Sequence, residues 1–195
     1  SSAQVYALIE SDLTYAVNNL EYTAPQVGRV TKGAAEALLG KAYLYQNKFT
    51  EAATVLDNVI NNGPYDLALD YATIFESGGE NNVESVFEVQ YTDAEGAGFG
   101  CLQCSEGNIA VGFNGIRNYS GPTFDSGYSF NVPTQEAVDA FETGDSRKDV
   151  SILDIEAWAT TTQATFGVGY EHTGYYNRKY LARQGDQNMG DQNLT

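Results

Sequence analysis

The sequence predicts a mostly α-helical protein with irregular stretches and short β segments. A tetratricopeptide-like helical hairpin is expected to pack against a loop-rich, strand-containing region. Three observations predict this. Apolar residues recur at spacings of three and four through the first third of the 195-residue chain. Small and large residues between Thr31 and Pro64 then fall in the register of two closely packed helices. Beyond Pro64, glycines recur and aromatics scatter without a sustained period. The expected organisation is a helical part over 1–64 and an irregular part over 65–195, with short strands and one short helix. Together they read as one fragment of a larger single domain.

Val5, Leu8, Ile9, Leu13, Ala16, Val17 and Leu20 form one apolar stripe, the mark of an amphipathic helix. Pro25 and Gly28 lie in a connection. Thr31 then stands where an N-cap belongs, before a second helix expected to bury Ala35, Leu38, Leu39, Ala42 and Tyr43. A turn at Gln46-Asn47-Lys48 leads to a third helix carrying Phe49, Ala52, Ala53, Leu56, Val59 and Ile60. Gly63 suits a left-handed cap and Pro64 cannot continue the helix. Leu39, Gly40, Tyr43, Ala52, Leu56, Val59 and Pro64 fit a single repeat of about 34 residues. One repeat cannot bury its own faces, so further packing partners are expected.

The alternation of Phe87, Val89 and Tyr91 with Glu88 and Gln90 predicts a strand over 84–91. Residues 92–131 lack periodicity, yet they carry Phe99, Phe113, Tyr119, Phe124, Tyr128 and Phe130. Rings at that density need a core or a ligand to pack against. Pro133-Thr134 opens a short helix with Ala137, Val138 and Phe141, closed by Gly144, and strand-like pieces follow at 152–158 and 166–170.

Composition excludes several classes. With 12% aromatic and 18% charged residues the chain is core-forming, not disordered. Ten basic against 26 acidic residues give a net charge of −16. That surface repels phosphate backbones and anionic headgroups, so no nucleic-acid partner is expected. No apolar run approaches the roughly 20 residues of a membrane-spanning helix. The opening Ser1-Ser2-Ala3-Gln4 has no apolar leader and the chain ends on a polar run. It reads as a piece of a longer protein with any targeting signal outside it.

Catalytic and metal chemistry finds little to build on. Cys101 and Cys104 form a lone C-x-x-C, and His172 is the single histidine, too few ligands for a zinc site. A local disulfide and two unpaired thiols both remain open. His172 has no patterned nucleophile, and 26 acidic groups generate accidental carboxylate pairs that carry no glycosidase signal. The Gly-Asp-Gln-Asn repeats at Gly185 and Gly190 offer calcium no bidentate Glu. No catalytic residue, metal or cofactor is assigned.

Several stretches resemble the SusD/RagB family of outer-membrane glycan-binding lipoproteins of Bacteroidetes. The most specific is Gly28-Arg29-Val30-Thr31-Lys32-Gly33-Ala34-Ala35-Glu36-Ala37-Leu38-Leu39, followed by Lys41-Ala42-Tyr43-Leu44-Tyr45. Residues 82–90, Pro133 to Glu142, the Asp145-Ser146-Arg147 corner and the Tyr-rich 175–180 stretch are similar to later family segments, in the family's order. The resemblance does not extend to 92–131, and neither the lipid-bearing Cys nor the family's C-terminal helices fall within this chain. It implies a non-catalytic protein on the extracellular face of the outer membrane, held by a lipid anchor outside this segment. Its partners would be a glycan and a SusC-like TonB-dependent transporter that receives it for nutrient uptake. The alternatives are a helical-repeat scaffold for protein partners and a glycoside hydrolase.

Sugars present flat C–H faces to aromatic rings and hydroxyls to amides and guanidinium groups. Phe113-Asn114-Gly115-Ile116-Arg117-Asn118-Tyr119 combines all of these within one short run. The expected glycan contacts are therefore Arg117, Asn118, Tyr119, Phe124, Tyr128 and Trp158.

Overall fold

Three long helices open the chain in the computed structural model, which describes residues 1–90, 110–169 and 171–184: α1 (Ser2–Asn19), α2 (Lys32–Tyr45) and α3 (Phe49–Asn62). The chain divides into two compact units, Ser1–Leu69 with Asn81–Gln90 and Asp70–Glu80 with Tyr91–Thr195. Cys101, Cys104 and the Gly-Asp-Gln-Asn tail lie outside the described residues.

In the first unit, α1 and α3 both pack on α2. Thr31 caps α2, its Oγ1 accepting from the Ala34 amide at 3.3 Å. At Gly40 the hairpin closes so tightly that a Cβ would sit 2.6 Å from Leu56 Cγ, a distance only glycine permits. Gly33 makes similar room for the Tyr65 ring, whose hydroxyl lies 3.4 Å from Thr31 Oγ1. Glu36 is buried and accepts from the Tyr22 hydroxyl at 2.9 Å, tying the connection before α2 to the helix. Burial, then the bond to Glu36, pushes the Tyr22 phenol up to about 12. Glu10 of α1 accepts from Gln46 and Lys48 in the α2–α3 turn. One face stays open: α1 buries no residue, and Leu38, expected inside, is exposed with Val5, Leu8 and Tyr45.

Two further expectations change here. Gly63 is extended (φ −74, ψ 157), not left-handed. Pro64 supplies the reason, because a residue before proline is driven out of the α region. Residues 84–90 form no strand. Phe87 and Val89 are half exposed, and Glu88 and Gln90 bond to Ser85 and Asn81 and not to a neighbouring strand.

The second unit is built from short pieces around one core. Helix α4 (Ala110–Asn114) precedes strand β1 (Ile116–Arg117), which runs parallel to β2 (Ser126–Gly127). Helices α5 (Gln135–Asp139) and α6 (Arg147–Ser151) follow. Strand β3 (Ile152–Asp154) pairs antiparallel with β4 (Tyr175–Asn177), and α7 (Ile155–Thr162) lies between them in sequence. Ile116, Tyr119, Phe124, Leu153, Ile155, Ala164, Tyr176 and Leu181 form the core.

Thr134 caps α5 as the sequence predicts, accepting from the Ala137 amide. The strand expected over 152–158 holds only to Asp154. There the carboxylate accepts from the Ala157 amide at 2.9 Å and starts α7, so a helix cap ends the strand. Residues 166–169 make no strand, and Thr165 alone bridges to Ser120. No helix among the described residues is long and apolar enough to cross a membrane, and among them no group of His, Cys, Asp and Glu could hold a metal.

Candidate functional site

Two glycines set the geometry of the second unit's aromatic surface. Gly115 and Gly127 face each other where β1 meets β2. A Cβ on Gly115 would fall 2.7 Å from the Gly127 Cα. With no side chain between them, the 128–130 segment lies along 112–115. The amides of Tyr128, Ser129 and Phe130 donate to the carbonyls of Gly112, Gly115 and Phe113 at 2.9, 2.9 and 2.8 Å. Ser129 between them takes a left-handed φ of +56, and Tyr128 and Phe130 come together beside Phe113.

The three rings form a triangular cluster, in which Phe113 and Tyr128 are 6.2 Å apart between centroids and tilted by 45°. Phe113 and Phe130 are 5.9 Å apart between centroids with planes 28° from parallel, and Tyr128 and Phe130 are 5.6 Å apart at 20°. Phe130 is 67% exposed. The Arg117 guanidinium lies 5.7 Å from the Phe130 centroid and also donates to the Tyr128 carbonyl. Its own amide donates to Ser129 Oγ, which in turn is 2.9 Å from the Tyr176 hydroxyl in the core. The cation is therefore fixed over the Phe130 ring, with its guanidinium and its own backbone amide both tied to the 128–129 segment. Asn118 follows it, exposed and at φ +49, a left-handed conformation that Asn tolerates better than most residues.

The six residues expected to contact a ligand divide into two groups. Arg117, Asn118 and Tyr128 belong to this surface. Tyr119, Phe124 and Trp158 lie together in or against the core. The Trp158 Nε1 donates to the Tyr119 hydroxyl at 2.9 Å, and that hydroxyl donates to the Pro122 carbonyl at 2.6 Å. Phe124 has no exposed surface, with Trp158 and Tyr119 at 5.3 and 6.3 Å and the Arg183 guanidinium at 5.1 Å from its ring. Trp158 keeps some exposed surface. Phe130, the most exposed ring of the cluster, was not among the six. The signal that identifies it is its two-residue spacing from Tyr128 after the glycine that opens the turn.

His172 stacks on Phe166 at 5.6 Å, with its Nε2 buried and unbonded. It is part of the packing around Tyr176.

No protein-family model matches the chain. It is 27% identical over 184 residues to SusD-like protein P2 of Formosa agariphila, covering 92% of the chain and 34% of that relative. A SusD-like protein of Bacteroides ovatus is 31% identical over 98 residues, 45% of this chain and 18% of the relative. Among solved structures, a laminarin binding SusD-like protein superimposes with a TM-score of 0.85 at 36% identity, over 94% of this chain and 43% of its own. Surface glycan-binding protein A from Bacteroides fluxus gives the same TM-score at 27% identity, over 100% of this chain and 43% of its own. The chain thus spans about a third of the Formosa relative's length. In sequence and in fold, the chain is similar to part of the SusD-like proteins.

Proposed function

We propose that the chain contributes to non-catalytic binding of a glycan at the cell surface, through the Phe113–Tyr128–Phe130 cluster. The observation that carries this reading is the exposed Phe130 ring, held in a cluster with Phe113 and Tyr128 and with the Arg117 guanidinium over it. A flat, rigid, water-exposed aromatic face suits the C–H face of a pyranose. Arg117 and Asn118 beside it suit hydroxyls. Tyr119, Phe124 and Trp158 serve as the floor that fixes β1 and β2, and the part of Trp158 left exposed extends the contact. The groups at the cluster are rings, an amide and a guanidinium, which bind without supplying a nucleophile and base.

The names of two similar structures support the ligand class: one binds laminarin and the other is a surface glycan-binding protein. Laminarin is therefore the first ligand to test. The wider reading follows from the family resemblance. The full protein sits on the outer membrane by a lipid anchor and hands its glycan to a SusC-like TonB-dependent transporter. Affinity electrophoresis in laminarin gels tests the binding, with reducing-end assays run in parallel. Retardation that Phe130→Ala abolishes supports the reading. Free migration of the intact protein in a panel of glycan gels, or release of reducing ends, overturns it. Protease shaving of intact cells and co-purification with a TonB-dependent protein test the location and the partner.

A further inference from the structure

We propose that a cavity lined by Tyr71, Arg147, Ser151 and Lys179 in the second unit binds an anionic group, a carboxylate or a sulfate. The cavity holds about 270 Å³ and is walled by Ala140 and Phe141. That is just under the roughly 300–1,000 Å³ of pockets for drug-sized ligands, a space suited to one substituent or a small ion.

Charge is the first reason. The chain carries 26 acidic residues and a net charge of −16, yet Lys179 makes no ion pair among the described residues. Its ammonium is half-buried, 2.5 Å from the Tyr71 hydroxyl and 4.2 Å from the Phe75 centroid. Aromatic faces and a phenol hold the cation in place without neutralising it. The one carboxylate in the cavity, Asp145, is already matched. Arg147 grips it through Nε at 2.9 and 3.2 Å and through NH2 at 2.6 Å. That grip pushes the carboxyl down to about 2, so the pair stays ionised and Lys179 leaves the lining residues with one positive charge in excess, Glu142 lying outside the lining.

Donors are the second reason. Tyr71 and the buried Ser151 add hydroxyls beside the two cations, the set that recognises an oxyanion through charge-assisted bonds. The bond from Lys179 also holds the Tyr71 phenol below its ordinary range. The site therefore already stabilises negative charge on an oxygen. A free sulfate and the carboxylate of an acidic sugar present the same chemistry.

The test is an NMR titration of the whole chain at constant ionic strength with sodium sulfate, galacturonate or glucose. The backbone amides of Tyr71, Ser151 and Lys179 are the reporters. Both anions should shift them saturably while glucose does not, and Lys179→Met should weaken the effect about tenfold, the size of one charge-assisted bond. Saturation at lower concentration by galacturonate than by sulfate assigns the site to an acidic sugar, and the reverse order assigns it to a small ion; either supports the proposal. Arg147→Gln, at an exposed position, is the second variant and should weaken both anions. Absence of saturable shifts in the wild type, equal shifts with glucose, or unaltered titrations in both variants would overturn it. Laminarin retention through Phe130 is a separate measurement, so either reading can fail alone.

Discussion

Phe124 and Phe130 are six residues apart and make opposite predictions. Phe124 has no exposed surface and touches Tyr119, Trp158 and Arg183. Phe124→Ala removes a fully buried ring and leaves a cavity between core side chains, which costs about 3–5 kcal/mol. Phe130 is 67% exposed. Truncating it forfeits only a third of the roughly 1.5–3 kcal/mol that complete burial of a Phe contributes, so about 0.5–1 kcal/mol. Its loss should appear in glycan affinity instead, about tenfold, since a stacked ring contributes about 1 kcal/mol beyond the area it covers. Trp158 is the only tryptophan in the chain, so urea titration followed by its fluorescence reports the second unit alone. Phe124→Ala should shift that transition to clearly lower urea, and Phe130→Ala should leave it nearly unmoved. A small shift for Phe124→Ala would refute the buried-core assignment. Undiminished laminarin retention by folded Phe130→Ala would refute the stacking surface.

Gly40→Ala should destabilise the helical hairpin by about 1–3 kcal/mol through overpacking against Leu56, and Leu56→Ala in the same chain should recover part of that, read by thermal melts in circular dichroism. Tyr22→Phe removes the donor to buried Glu36 and should cost about 1–3 kcal/mol by the same measure. Because the folded chain holds the Tyr22 phenol up to about 12, its contribution is complete below the ordinary value near 10 and fades as pH rises through 12. Urea midpoints of wild type and Tyr22→Phe should therefore converge toward high pH. Glu10 is held below its ordinary range chiefly by the bond from Lys48, so the stability it adds is present at neutral pH and lost as pH falls below about 4.5. Lys48→Met should flatten that acid limb, and added salt should shrink the difference, as for other surface pairs.

The helical part was legible because its rules are local. The run from Gly28 to Gly40 shows why residue by residue. Gly28 takes φ +84, Thr31 caps, Gly33 admits Tyr65, Glu36 takes the Tyr22 hydroxyl and Gly40 admits Leu56. Each role constrains the residue type, so the pattern is readable without coordinates. Where the reading failed, two local rules competed. At 152–158, apolar alternation favoured a strand while Asp154 offered a helix cap, and the cap took over after three residues. At 84–90 the alternation was real, but a strand exists only through a neighbour, and local side-chain bonds from Asn81 and Ser85 took the polar groups instead. The aromatic surface was legible only as a population. Composition places many rings in the irregular part, but which are buried depends on the closure of Gly115 onto Gly127, a long-range contact. That closure sends Phe124 inward with Ile116 and Tyr119, and it carries Phe130 outward beside Phe113. Substituting either glycine should therefore act on both surfaces at once. A Cβ would separate β1 from β2, loosen the core around Phe124 and scatter the cluster. Gly127→Ala should accordingly lose stability and glycan retention together, whereas Phe130→Ala loses only the second.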